Sequence, residues 1–159
     1  MTNCIAIDTS ALLYRYLPGK NREFLIKEMD TEEKWIASEL VKTEMLLALR
    51  HGAVSPHHYD AIARSFRSDW ESFYVIPLDS KCLNRAAQFG AQFGLKMVDA
   101  LHLAAIDRIP RPFKYVTFDH AHMSAAVELG IEVVRLPQSL KSRFQACLLH
   151  HLDVHPYSR

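Results

Sequence analysis

Five short apolar runs, each separated from the next by stretches with helical spacing, set the strongest limit on how this chain can fold. The first covers residues 3–8, with Ile5 and Ile7 on one side, and leads through Ser10 into ALLYRYL, which Pro18 and Gly19 end. The others are residues 34–37 and the segments FYVIPL, KYVTFD and IEVVRL. Between them the pattern predicts helices over about residues 22–29, from Ser38 as N-cap to about His51, and from Ser55 and Pro56 to about Ser72. Further helices are expected over residues 80–93, stopped by Gly94, over 99–108, and over 120–129, closed by Gly130. Strands that alternate with helices imply an α/β fold in which a central parallel sheet is covered on both faces.

A chain of 159 residues is long enough to bury one substantial core. With 49% hydrophobic and 23% charged residues it has the balance of a globular protein, not of a disordered one. Residues 1–136 read as one domain, and residues 137–152 as a final helix packed on it or extending from it, with HPYSR a loose end. The net charge of +1 provides no overall field for a polyanion, so such a partner needs a local patch. Cys4, Cys82 and Cys147 are few, odd in number and unpaired in spacing, which points away from disulfides and zinc. No basic leader and no bilayer-length apolar run is present, so a cytoplasmic protein with no membrane association is expected.

Four carboxylates fall where a site is favoured. Asp8 and Asp119 each end a strand, and parallel α/β sheets bind ligands beyond their strands' carboxyl ends, although an aspartate there also serves as a helix cap. Glu44 points between Leu40, Val41, Leu47 and Ala48, while Glu39, Lys42, Thr43 and Arg50 take the other face. An acid in a buried stripe needs a cation, a metal or a raised pKa; a paired arginine is the structural alternative. Asp99 opens the apolar helix DALHLAAI, where capping is again an alternative, and His102, one turn on, reads as a hydrogen-bond partner outside the site. Carboxylates without motif-spaced histidine or cysteine select hard cations, Mg²⁺ or Mn²⁺. Such an ion activates water and neutralises charge on a phosphodiester, the chemistry of a nuclease.

Taken in order, IAIDTSALL, ASELVKTEMLLALR, DALHLAAI and VTFDHAHMSAAVELGIEVV resemble the four blocks of the PIN-domain nucleases, and more closely their VapC-type toxins. The resemblance spans roughly residues 3–136 and implies a three-layer α/β/α PIN fold with metal-dependent endoribonuclease activity. It also implies frequent homodimers and a cognate antitoxin that blocks the acidic site. On this chain it assigns Asp8, Glu44, Asp99 and Asp119 as catalytic and metal-binding acids, with Ser10 and Thr117 as supporting hydroxyls.

An RNA substrate also needs cations around the cleft. Arg64, Arg67 and Lys96 are the main candidates, with Arg15, Lys42, Lys141 and Arg143 beside them; a solvated helix face explains Arg64 and Arg67 equally well. His120 and His122 flank the fourth acid, where they either touch phosphate or are exposed in a loop. Two other readings stay open: a PIN-fold module that holds RNA, or acts on DNA in an antitoxin complex, and a nuclease for structured DNA or RNA processing.

Overall fold

The computed structural model describes residues 3–19 and 21–135. The expected C-terminal helix lies outside these residues, as do Lys141, Arg143 and Cys147. Strand β1 (Cys4–Ile7) is followed by the short helix α1 (Thr9–Leu12), which tightens into a 3-10 turn at Leu13–Arg15. Then come α2 (Asn21–Asp30), β2 (Lys34–Ser38), α3 (Leu40–Gly52), α4 (Pro56–Trp70) and β3 (Tyr74–Ile76). The order closes with α5 (Ser80–Phe93), α6 (Met97–Ile106), β4 (Lys114–Val116), α7 (His120–Glu128) and β5 (Glu132–Val134).

The five strands form one sheet in the order β3-β2-β1-β4-β5, and every neighbouring pair is parallel. The chain builds outward from β1 through β2 to β3, then returns to the other side of β1 to lay down β4 and β5. The order therefore reverses between β1 and β4, and the crevice beyond the carboxyl ends of those two strands is the natural ligand position.

The alternation of side chains along β1 divides the core in two. Ile5 and Ile7 pack with Leu12, Leu25, Met45, Leu49 and Phe66, from α1 to α4. Ala6 faces the other way, into Phe89, Leu103, Ala104 and Ala126, from α5 to α7. Burying a leucine or phenylalanine of this kind stabilises the fold by roughly 1.5–3 kcal/mol. Helix α6 is apolar on nearly every face because it is enclosed, with Ala100, Leu103, Ala104, Ala105 and Ile106 all buried.

Helix ends follow local chemistry. Ser55 caps α4 by accepting from the His58 amide at 3.1 Å, with Pro56 in the first turn. Gly94 (φ 65°) and Gly130 (φ 72°) take the left-handed conformation after α5 and α7. Three expectations are corrected. Ser38 ends β2 and does not cap α3; the cap position is Glu39, whose side chain makes no capping bond. Leu47 is 58% exposed, so the buried stripe of α3 is Val41, Met45 and Leu49, with Glu44 at its margin. Helix α6 begins two residues before Asp99, which occupies its first turn.

Candidate active site

Asp8 follows β1 directly, and its side chain is buried and saturated. Oδ1 accepts from the Ser10 hydroxyl at 2.8 Å and the Ala11 amide at 3.1 Å. Oδ2 accepts from the Thr117 hydroxyl at 2.6 Å and lies 3.2 Å from Nδ1 of His122. Burial alone would push this carboxyl's pKa up, but His122, Thr117 and Ser10 outweigh it and hold the group ionised below the ordinary aspartate range. Ser10 also accepts from the Phe118 amide at 2.9 Å, and the Asp8 amide donates to the Val116 carbonyl at 3.3 Å, so the ends of β1 and β4 are tied together.

Glu44 reaches the same region from α3. Its Oε2 accepts from the Thr9 hydroxyl at 2.5 Å and contacts Nε2 of His102 at 2.7 Å. The other ring nitrogen of His102, Nδ1, lies 2.7 Å from the Ser38 hydroxyl. The partner of Glu44 is thus a histidine from α6, in place of the arginine alternative. Burial raises the Glu44 pKa, yet the His102 and Thr9 contacts leave it lowered.

Asp99, in the first turn of α6, lies with Oδ1 3.3 Å from Nε2 of His122. Its carboxylate makes no hydrogen bond among the described residues. Asp119 caps α7, Oδ1 accepting from the amides of Ala121 at 2.7 Å and His122 at 3.1 Å, while its own amide donates to Thr117 Oγ1 at 3.1 Å. The capping alternative therefore describes one oxygen of Asp119.

Two imidazoles join these acids: His102 is the hydrogen-bond partner that the sequence suggested, though to Glu44, and His122 was not placed among the acids. His122 is buried beside Asp8, not exposed in a loop; burial lowers its pKa, but Asp8 first, then Asp119 and Asp99, raise it above the ordinary histidine value. Its helical neighbours carried the signal, since Ala125 and Ala126 share its face and are buried. For His102 the signal was its place in an all-apolar helix, where a polar ring requires partners on both nitrogens. Arg15, named as a cation for RNA, is instead paired to Asp69 at 2.9 Å and stacked over Trp35 at 4.9 Å. Arg64, Arg67 and Lys96 are exposed and form no hydrogen bond or ion pair with the four acids. Arg64 lines a shallow cleft with Ala61, Ser65, Ser68 and Asp69.

A family model described as the PIN domain matches residues 5–128. The chain belongs to the PIN domain family. PIN domains are generally nucleases that use divalent metal ions. Among solved structures, this PIN domain is similar to a toxin–antitoxin complex from Klebsiella pneumoniae, with 16% identity, a TM-score of 0.62, and coverage of 82% of this chain and 96% of that one. It is similar to FitAB bound to an IR36 DNA fragment (18% identity, TM-score 0.66, 84% and 97% covered). It also resembles VapBC2 from Rickettsia felis bound to a promoter DNA fragment (11%, 0.61, 84% and 99%). At such identities the likeness concerns the fold. No curated protein sequence matches the chain.

How far this PIN domain suits a divalent cation can be read from its donors. Among the described residues, no three His, Cys, Asp or Glu side chains already stand as a ligand group. All lone-pair positions of Asp8 are engaged. Asp99 has no hydrogen bond, and Glu44 and Asp119 each use one oxygen, which leaves three carboxylates able to turn toward an ion. Nε2 of His122 is buried without a hydrogen-bond partner and faces Asp99. Oxygen donors beside an orphaned imidazole nitrogen fit a divalent cation. Among the described residues, no helix is long and apolar enough to cross a membrane.

Proposed function

We propose that this chain is a divalent-metal-dependent endoribonuclease, the toxin of a type II toxin–antitoxin pair. The carrying observation is the crevice between β1 and β4, where ionised Asp8 is joined through His122 to Asp99, with Glu44 fixed by Thr9 and His102. Membership of the PIN family supports the nuclease reading, and the toxin–antitoxin titles of its structural relatives support the partner. The acidic set in this reading is Asp8, Glu44, Asp99 and Asp119, supported by Ser10 and Thr117, with Glu44, Asp99 and Asp119 as the metal ligands and Asp8 as the acid that fixes His122. The chain acts in the cytoplasm, as a homodimer held in check by its antitoxin.

When bound, Mg²⁺ or Mn²⁺ supplies positive charge that acidifies a water and offsets charge on the phosphodiester. Glu44, Asp99 and Asp119 would hold the ion through their open oxygens. Asp8, saturated by Ser10, Ala11 and Thr117, anchors His122 and keeps negative charge fixed beneath the pocket. An open carboxylate oxygen takes one proton of the attacking water as its oxygen bonds to phosphorus, while the P–O bond to the leaving ribose oxygen breaks and that oxygen takes up a proton from solvent. Arg64 and Arg67, exposed on α4, and Lys96, exposed just before α6, attract the RNA backbone.

Incubation of the purified chain with total RNA tests this. Cleavage is expected with Mg²⁺ or Mn²⁺, to stop with chelator, and to fall at least on the order of 100-fold in Asp99→Asn. Absence of cleavage, or equal cleavage by the variant, would overturn the reading.

Two structural relatives carry DNA, which favours a second role, operator binding in an antitoxin complex. A gel shift with promoter DNA distinguishes it, since that role needs the antitoxin and no metal.

A further inference from the structure

We infer that His122 is a direct nitrogen ligand of the divalent ion in this site, which makes it a mixed imidazole and carboxylate centre that favours Mn²⁺ over Mg²⁺. The inference rests on the metal-dependent reading above.

Geometry carries it. His122 is 3% exposed, and its Nε2 is the buried ring nitrogen without a hydrogen-bond partner among the described residues, 3.3 Å from Asp99 Oδ1. The opposite nitrogen is anchored twice, 3.0 Å from the Tyr115 hydroxyl and 3.2 Å from Asp8 Oδ2. A histidine that metals use has this form: one nitrogen fixed by a carboxylate behind it, the other aimed at the ion. Binding of the ion displaces any proton from Nε2, and the cation then lies between that nitrogen and the Asp99 carboxylate as a shared ligand pair.

The same arrangement explains why Asp8 is saturated. Its oxygens hold Ser10, the Ala11 amide, Thr117 and His122, so its part is to orient the ligand ring more than to meet the ion. His102 is excluded as the nitrogen donor because Ser38 and Glu44 occupy both of its ring nitrogens. His120 is exposed on the first turn of α7 and forms no hydrogen bond or ion pair among the described residues to fix its ring. A mixed nitrogen and oxygen shell disfavours Mg²⁺, which prefers oxygen, and suits Mn²⁺ and later transition ions.

Pulsed electron paramagnetic resonance of the full chain loaded with Mn²⁺ alone reads the nitrogen directly. The expected result is modulation from one ¹⁴N nucleus, which changes to the ¹⁵N pattern when histidine is isotopically labelled. It disappears in His122→Gln and persists in His120→Ala and His102→Asn. Calorimetry should show Mn²⁺ binding tighter than Mg²⁺, with His122→Gln losing on the order of tenfold in Mn²⁺ affinity. Wild-type Mn²⁺ binding without nitrogen modulation overturns the inference and leaves the nuclease reading standing, and this holds even if His122→Gln does not fold. Modulation that survives in a folded His122→Gln also overturns it. No binding of either ion overturns both.

Discussion

His102 Nε2 lies 2.7 Å from Oε2 of Glu44, so a helix on one face of the sheet fixes an acid presented from the other. With Ser38 on its second nitrogen, the ring links the end of β2 to the pocket. His102→Ala leaves the Glu44 carboxylate and the Ser38 hydroxyl without this partner. A stability loss of about 1–3 kcal/mol is expected by urea unfolding, and Ser38→Ala should cost less. Nuclease activity should fall in the same variant through displacement of Glu44, with Mn²⁺-bound nitrogen signal retained.

Thr117 is the shortest contact of Asp8, at 2.6 Å, and is fully buried. Thr117→Val keeps the shape and removes both the donor to Asp8 and the acceptor of the Asp119 amide. We expect about 1–2 kcal/mol of destabilisation, since a charged acceptor loses one hydrogen bond, and roughly tenfold lower cleavage. Equal stability and activity in this variant would show that Asp8 does not depend on it.

Gly94 and Gly130 have φ of 65° and 72°, with open space where a Cβ would go. Their alanine variants therefore suffer only the backbone cost, about 1–2 kcal/mol each. Thermal unfolding should register it, while RNA cleavage at room temperature stays unchanged.

Tyr16 donates its hydroxyl to Asp69 at 2.9 Å, and burial, then the Asp69 charge, push its pKa well above the ordinary phenol value of 10.0. The folded state holds this proton more tightly than the unfolded one. Its contribution is full below about pH 10 and is lost as pH rises toward the folded value. Tyr16→Phe should therefore be less stable at pH 8 by about 1 kcal/mol, with the gap narrowing at more alkaline pH.

Periodicity and strand ends carried most of this fold. Ile5 and Ile7 declared one face of β1, and Asp8 and Asp119 fell at strand ends, while the adjacency of those two strands is a fact of the sheet order. Glu44 announced itself by its misfit on α3. What local pattern could not convey was partnership across the chain. Ser38 looks like a cap in sequence, but its hydroxyl is claimed by a ring 64 residues away. His122 looks like part of a polar loop until α7 turns it inward against Asp8. Hydrogen-bond demand is visible in a sequence; its satisfaction depends on packing.

The strand order has a consequence for synthesis. Because β1 is flanked by β2 on one side and β4 on the other, a growing polypeptide that stops before Lys114 contains Asp8, Glu44 and Asp99 but lacks Thr117, Asp119 and His122. Whatever chemistry the pocket performs, the ribosome delivers its parts in two instalments. The nascent chain carries an unfinished blade until its last third emerges.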